Sequence, residues 1–302
     1  MAIHVIRPGM LTTVQDLGRH GFQHLGVPVA GPMDWWSHEA ANLLVGNDAG
    51  AAVLEVTLIG PELELTRSAI AAVVGADFDL SVSGRPVPMN QAFPVEAGER
   101  LAFGARRSGA RAYVAFNGGV AVPPVMGSRA THVRGALGGH EGRALRRGDV
   151  LPLGEAPAAV ATPTPPIRSP HLPLPARATL RAIEGPESAG DAFWHAAFTV
   201  SPHSDRMGYR LDGAALDAAG DHVSSAVAMG TVQVTPSGLC VLLMADRATS
   251  GGYARAATVI TADLPIAGQL APGDALRFGR ATPAEARAAS AAMRAALPGA
   301  RA

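Results

Sequence analysis

The chain has 302 residues, 48% of them hydrophobic and 17% charged, enough for a buried core and too apolar for a disordered polymer. Twenty-five acidic residues balance twenty-five basic ones, which argues against a general nucleic-acid or membrane-surface binder. All 25 basic residues are arginine, so a P-loop lysine, a Schiff base and a biotinylated lysine on this chain are excluded, and anions must be held by arginine forks and backbone amides.

The opening stretch from Arg7 to Asn47 (RPGMLTTVQDLGRHGFQHLGVPVAGPMDWWSHEAANLLVGN) is rich in glycine and proline yet carries Gln15, Asp16, Arg19, Asp34, His38, Glu39, Asn42 and Asn47. A connector asks mainly for backbone permissiveness, so this density of specific polar groups points to more than a turn. Its second half predicts a helix: Asp34 as N-cap, Trp36, Ala40, Leu43 and Leu44 at helical spacing, and Gly46 as a left-handed C-cap. A well-capped core helix with its entry loop explains the same residues. Trp35 and Trp36 cannot both face one core, which leaves one for a partner contact or for nothing.

Short β-like runs follow (AAVLEVTL, PELELT, SAIAAVVG, FDLSVSG, ARAYVAFNGG), spaced by turn residues as in a sandwich or barrel. A turn-plus-strand unit recurs at Gly98-Glu99-Arg100-Leu101, Gly148-Asp149-Val150-Leu151 and Gly273-Asp274-Ala275-Leu276, which hints at two similar β-domains. The proline-rich segment 156–176 reads as a linker between a domain at 1–155 and another at 177–302. The second half predicts a short helix around Glu187 to Phe198, further strands, and a terminal helix opened by the capping box Thr282-Pro283-Ala284-Glu285. Cys240, the one cysteine, lies in the apolar run LCVLLM and reads as a buried strand residue; no internal disulfide is possible. No apolar run reaches membrane length and the first ten residues lack a signal pattern, so a cytoplasmic location is expected.

Several stretches carry residues suited to chemistry. In Asp246-Arg247-Ala248-Thr249-Ser250-Gly251-Gly252-Tyr253, paired glycines after two hydroxyls let backbone amides converge on an anion; a hairpin turn with two positive φ angles is the alternative. In Ser204-Asp205-Arg206-Met207-Gly208-Tyr209-Arg210, two arginines can clamp a carboxylate or phosphate; a surface Asp205–Arg206 ion pair of little energetic value is the alternative. Asn117-Gly118-Gly119 and Ser128-Arg129-Ala130-Thr131 follow a strand as loops, but no GxSxG elbow is present, which argues against a serine hydrolase. His20 and His24 are interrupted by glycines, and no paired cysteines or HExxH occur, so no metal site is expected.

The segments PGMLTTVQDLGRHG, GVPVAGPMD and SHEAANLLVGN, with Asn117–Gly139, Ser204–Gly213, Met229–Gly238 and Ala245–Tyr253, resemble the KipA and allophanate-hydrolase-subunit-2 family. That family includes the C-type subunit of bacterial 5-oxoprolinase and half of the carboxyltransferase domain of urea carboxylase. The resemblance implies a mainly β chain with a few short helices, folded as two cyclophilin-like β-barrel domains. The leading activity it implies is ATP-dependent opening of 5-oxoproline in a heteromer with a B-type (KipI- or PxpB-like) subunit and a PxpA-like hydrolytic subunit, using ATP with magnesium. Alternatives are a carboxyltransferase fed by biotin on a separate protein, and a KipA-like regulator without turnover. The residues expected to carry chemistry are Asp16, Arg19, Asp34, Asp205, Arg206 and Asp246. Those expected to bind substrate or an anion are Asn42, Asn47, Asn117, Gly118, Ser128, Thr131, Arg210, Gln233, Thr249, Ser250, Gly251, Gly252 and Tyr253.

Overall fold

Short β-forming runs separated by turn residues become strands throughout residues 2–156, 177–217 and 222–298, the part of the chain that a computed structural model describes. Two compact units result: Met1–Arg19 with Ala30–Leu172 and Ala295–Ala302, and His20–Val29 with Pro173–Arg294. The linker expected at 156–176 lies, apart from its first residue, outside the described residues. No helix among the described residues is long and apolar enough to cross a membrane.

The first unit contains β1 (Ala2–Arg7), β2 (Leu11–Gln15), β3 (Val53–Thr57), β4 (Glu62–Leu65), β5 (Ala69–Val82), β6 (Arg85–Val87), β7 (Ala92–Val95), β8 (Arg100–Phe116) and β9 (Val150–Pro152). They form one sheet in the order β2-β3-β8-β4-β1-β9, with β5 pairing β6, β7 and β8, and the sheet curls as a half-barrel. β5 and β8 run long and antiparallel, from Ala71 opposite Phe116 to Val82 opposite Leu101, with register shifts between Gly75 and Leu80. Such bulges bend a long pair, so the ribbon curls around its own side chains. Leu54, Val56, Leu63, Val73, Phe78, Val114 and Phe116 meet in the resulting core. Helix α1 (Trp35–Leu44) lies on this unit with Asp34 at its N-cap, and Gly46 takes the left-handed conformation just past its end. Trp36 is buried and Trp35 half-buried, so the two rings divide as the helical spacing requires.

The second unit contains β10 (Arg177–Glu184), β11 (Phe198–Val200), β12 (Gly208–Gly213), β13 (Ser225–Ala226), β14 (Thr231–Val234), β15 (Cys240–Leu243), β16 (Ser250–Gly251), β17 (Ala254–Val259) and β18 (Ala275–Arg280). Seven of them close a barrel in the order β10-β17-β14-β15-β12-β11-β18. Its first and last strands pair in parallel from Arg177 opposite Ala275 to Ala182 opposite Arg280, which removes the exposed edges. β10 alternates buried Ala178, Leu180 and Ala182 with outward Arg177, Thr179 and Arg181, the pattern of a barrel wall. Phe193 on helix α2 (Gly190–His195) stacks on Phe278 and packs against Phe198. Helix α3 (Leu264–Gly268) is short, and α4 (Pro283–Ala295) has no buried residue, with Thr282 and Glu285 bonded reciprocally as the capping box requires. Cys240 is buried in β15, and burial pushes its thiol up to about 12.

The recurring turn is one device used three times. Gly98, Gly148 and Gly273 all have positive φ, and their N–H groups donate to Leu65 O (2.7 Å), Val5 O (2.8 Å) and Val200 O (2.8 Å). The next residue, Glu99, Asp149 or Asp274, returns its carbonyl to the N–H of the same strand residue. Its carboxylate also accepts from a backbone N–H three residues earlier, at Glu96, Arg146 or Ala271. Glycine supplies the φ and the acid closes the turn, which explains the spacing read in the sequence.

Candidate functional site

In the first unit the polar residues of the opening stretch turn inward onto the loop at 125–131. Asp16 accepts from Gly18 N (3.0 Å), Ser128 Oγ (2.6 Å) and Arg129 N (2.5 Å). Arg19 is fully buried and donates from Nε to Val125 O (2.9 Å) and from Nη2 to Ala130 O (3.0 Å). Burial lowers its pKa and the neighbouring Asp16 opposes that shift. Thr131 gives both its N–H and its hydroxyl to Val14 O, while Gln15 Nε2 donates to Thr131 O (3.1 Å). Thus Asp16, Arg19, Ser128 and Thr131 do come together, as a clasp that holds β2 against the loop. Gly138 is required beside it, because a side chain there would meet Arg19 Nη2 at 2.5 Å and Ala130 O at 2.2 Å.

Asp34 is committed to α1. Its carboxylate accepts from Ser37 N (2.9 Å) and Ser37 Oγ (2.6 Å). Its own N–H donates to the Tyr113 hydroxyl (2.8 Å), which donates to Glu55 Oε2 (2.7 Å). Burial, then the charges of Glu55 and Asp34, hold the Tyr113 phenol well above its ordinary pKa, so it stays a donor. His38 is buried with Nε2 3.2 Å from Gln15 O, which places the proton on Nε2 and leaves Nδ1 as a lone pair. Burial pushes its pKa down to about 4, against the opposing effects of Gln15 O, Asp16 and Glu55.

The amides expected to meet substrate are used within the fold. Asn42 Nδ2 donates to Ala49 O (3.2 Å) and Ala51 O (2.8 Å). Asn47 Nδ2 donates to Asn42 Oδ1 (3.0 Å) and Phe116 O (2.9 Å), and its Oδ1 accepts from Gly118 N (2.8 Å). Asn117 Oδ1 accepts from Ile70 N (3.0 Å). Gly118 has φ +91 and lies so close to Gly154 that a Cβ would stand 2.4 Å from its carbonyl oxygen. With donors and backbone space used internally, Asn42, Asn47 and Gly118 pin loops, and Asn117 ties its own loop to β5 in the same way.

In the second unit Arg206 and Asp246 form a buried fork, Nε to Oδ2 and Nη2 to Oδ1 at 3.0 Å each, and Asp246 N donates to Arg206 O (2.8 Å). The alternative of a surface pair between Asp205 and Arg206 is not what forms. Asp205 is exposed and accepts from Met207 N (2.8 Å) and Gly208 N (3.3 Å), an Asx turn. Arg210 points outward from β12, so it does not join Arg206 in a clamp.

Ser250 and Gly251 form β16, paired with Ser225 and Ala226 of β13. Neither Gly251 nor Gly252 has positive φ, so the hairpin-turn alternative fails. Space explains these glycines instead. A side chain at Gly251 would meet Gln233 Nε2 at 2.4 Å, and one at Gly252 would meet Ser224 Oγ at 3.1 Å. Gln233 is 5% exposed, and its Nε2 has no partner among the described residues. The carbonyl of Thr249 is bound by Val227 N, while Tyr253 is half exposed. Opposite Gln233 on β17, Arg255 forks onto Glu187 (2.9 Å from both Nε and Nη2), and this pairing, with His222 adding, holds the Glu187 carboxyl down at about 2.

Three residues of interest were not among the site expectations. Gln15 and His38 were visible only as polar letters in a dense stretch. Arg247 stood inside the Asp246–Tyr253 motif, next to a carboxylate that its position in the sequence suggests as its partner. Its guanidinium donates instead to Val227 O (3.2 Å) and Met244 O (3.5 Å), and burial lowers its pKa with no carboxylate opposing.

Two curled β-units, one a half-barrel sheet and one a closed barrel, each with a buried polar assembly, define a mainly β protein of barrel type. Residues 25–280 match the family model "Carboxyltransferase domain, subdomain A and B", and the chain belongs to that family. It is 38% identical to the C-type subunit of the 5-oxoprolinase of Escherichia coli (strain K12), over 91% of this chain and 90% of that one. It is 35% identical to urea amidolyase of Lachancea kluyveri over 92% of this chain, but spans 17% of that much longer protein. The crystal structure of Kluyveromyces lactis urea carboxylase superposes with a TM-score of 0.89 at 30% identity, covering 99% of this chain and 29% of that one.

Proposed function

We propose that the chain is the C-type subunit of an ATP-dependent 5-oxoprolinase, acting with a B-type subunit and a PxpA-like hydrolytic subunit. The observation that carries this reading is the 38% identity to the corresponding 5-oxoprolinase subunit along nearly the full length of both chains. The chemistry agrees with the side chains present. A five-membered lactam resists hydrolysis until its amide oxygen is phosphorylated by ATP, giving ADP and a leaving group that water then displaces as phosphate. In the second unit, Gln233 offers a neutral donor to a planar amide, while the Arg206–Asp246 fork is charge-compensated and holds the strand ends. In the first unit, the Asp16–Arg19–Ser128 clasp fixes the loops that frame a site. Co-purification with the two partner subunits tests the reading: ATP turnover should require 5-oxoproline and this chain together. A stable complex without that turnover overturns it.

A second reading is supported by the family match and by the urea amidolyase and urea carboxylase relatives. In it the chain transfers a carboxyl group from biotin. With no lysine among these 302 residues, the biotin must be carried outside them. Turnover of urea on adding a biotinylated carrier, and none with 5-oxoproline, would favour it.

A further inference from the structure

We propose that the β13–β16 ribbon of the second unit is a carboxylate-binding site in which Arg247 supplies the positive charge and Gln233 a neutral donor. The buried arginine of this unit, Arg206, is compensated. Both Nε and Nη2 of Arg206 face the two oxygens of Asp246, so this pair presents no net charge to a ligand. Arg255 is matched in the same way by Glu187. Arg247 differs. Its hydrogen bonds go to two backbone carbonyls, which leave the cation's charge in place, and no described carboxylate lies within ion-pair distance.

Geometry puts the two groups on one short ribbon. Arg247 Nε reaches Val227 O, and Val227 N donates to Thr249 O, so the guanidinium stands at the end of β13. One step along, Ala226 pairs with Ser250 and Ser225 with Gly251, and the Gln233 amide lies directly against Gly251. Gln233 is buried, and its Nε2 is a donor without a partner among the described residues, which buried amides rarely tolerate. Glycine at 251 keeps the room that this amide occupies. The ligand class is therefore a small organic acid with one carboxylate and a neutral carbonyl nearby. Assigning the carboxylate of 5-oxoproline to Arg247 and its lactam oxygen to Gln233 rests on the proposed function. The anion site itself does not.

Ligand-observed NMR titrations of the full chain test it with three probes: 5-oxoproline, 2-pyrrolidinone (the same lactam without the carboxylate) and acetate. Arg247→Gln should weaken 5-oxoproline and acetate at least about tenfold, the scale of one charge-assisted contact, and leave 2-pyrrolidinone within about twofold. Arg247→Lys should recover part of the loss. Gly251→Ala, which pushes the end of Gln233 aside without straining the backbone, should weaken 5-oxoproline and 2-pyrrolidinone alike and spare acetate. Unchanged thermal unfolding of each variant separates lost binding from lost folding. Equal loss of the neutral lactam in Arg247→Gln, unchanged acid binding, or a wild-type chain that binds neither acid would overturn the proposal. Acetate binding lost with Arg247, alongside a complex that fails to turn over ATP with 5-oxoproline, would keep the site and sink the proposed function.

Discussion

The two units place similar residue types in opposite service. In the first, Asp16, Asn42 and Asn47 bind loop groups of the fold, Arg19 spends Nε and Nη2 on backbone carbonyls with Asp16 beside it while its Nη1 has no partner among the described residues, and Gly118 and Gly138 have carbonyls where a Cβ would stand. In the second, one arginine is cancelled by Asp246, while Arg247 and Gln233 keep charge and donors that the described fold does not use. The contrast teaches that a density of polar letters does not locate a ligand site. What separates the two arginines is whether a carboxylate opposes the charge: Asp16 stands beside Arg19, whereas none of the described carboxylates opposes Arg247.

The largest effect tests the compensated pair. Arg206→Ala should cost about 3–5 kcal/mol in chemical denaturation, because it leaves a buried carboxylate unpaired, and replacing both partners by apolar residues should restore most of that. A stable Arg206→Ala chain that merely binds ligand poorly would move Arg206 into the site. Next comes His38. Its folded pKa is about 4 against an ordinary 6.5, so as pH falls through that interval the unfolded chain takes up a proton and the folded one does not. Stability should therefore drop by ~3 kcal/mol between about pH 6.5 and 4, and His38→Gln should flatten that part of the profile. Asn47→Ala ranks third, at about 2 kcal/mol, since it strands Gly118 N and Phe116 O in a buried loop; thermal or urea unfolding reads it.

Much of the scaffold was legible. Asp34 as an N-cap, Gly46 past the helix, the Thr282–Glu285 capping box and the three glycine–acid turns are local, and local chemistry appears directly in residue order. The mainly β character was legible for the same reason, but the closure of the second unit was not, because β10 meets β18 across nearly a hundred residues. The site was legible as a set of motifs and not as roles. Arg206 reads with its neighbour Asp205, yet its partner is forty positions on at Asp246. Gly251 and Gly252 read as an anion-binding loop or a turn, yet they leave room for the side chains of Gln233 and Ser224, which only the ribbon and barrel bring near.

The smallest predicted effect separates the two reasons for which the units use glycine. Gly118 combines φ +91 with a backbone carbonyl 2.4 Å from any added Cβ. Neither can yield, so Gly118→Ala should lose at least about 2 kcal/mol in urea unfolding, from left-handed strain and displaced backbone together. Gly251 has an ordinary φ, and the atom 2.4 Å away is the free end of a flexible glutamine. A methyl group there moves only that amide, and the alanine restricts the unfolded chain, so stability should stay within about 0.5 kcal/mol of wild type. If Gly251→Ala instead unfolds the barrel, Gln233 is locked in place by packing and serves the fold. If it is silent in stability but weakens the neutral lactam, the glycine is there for the amide, and the amide is there for a ligand.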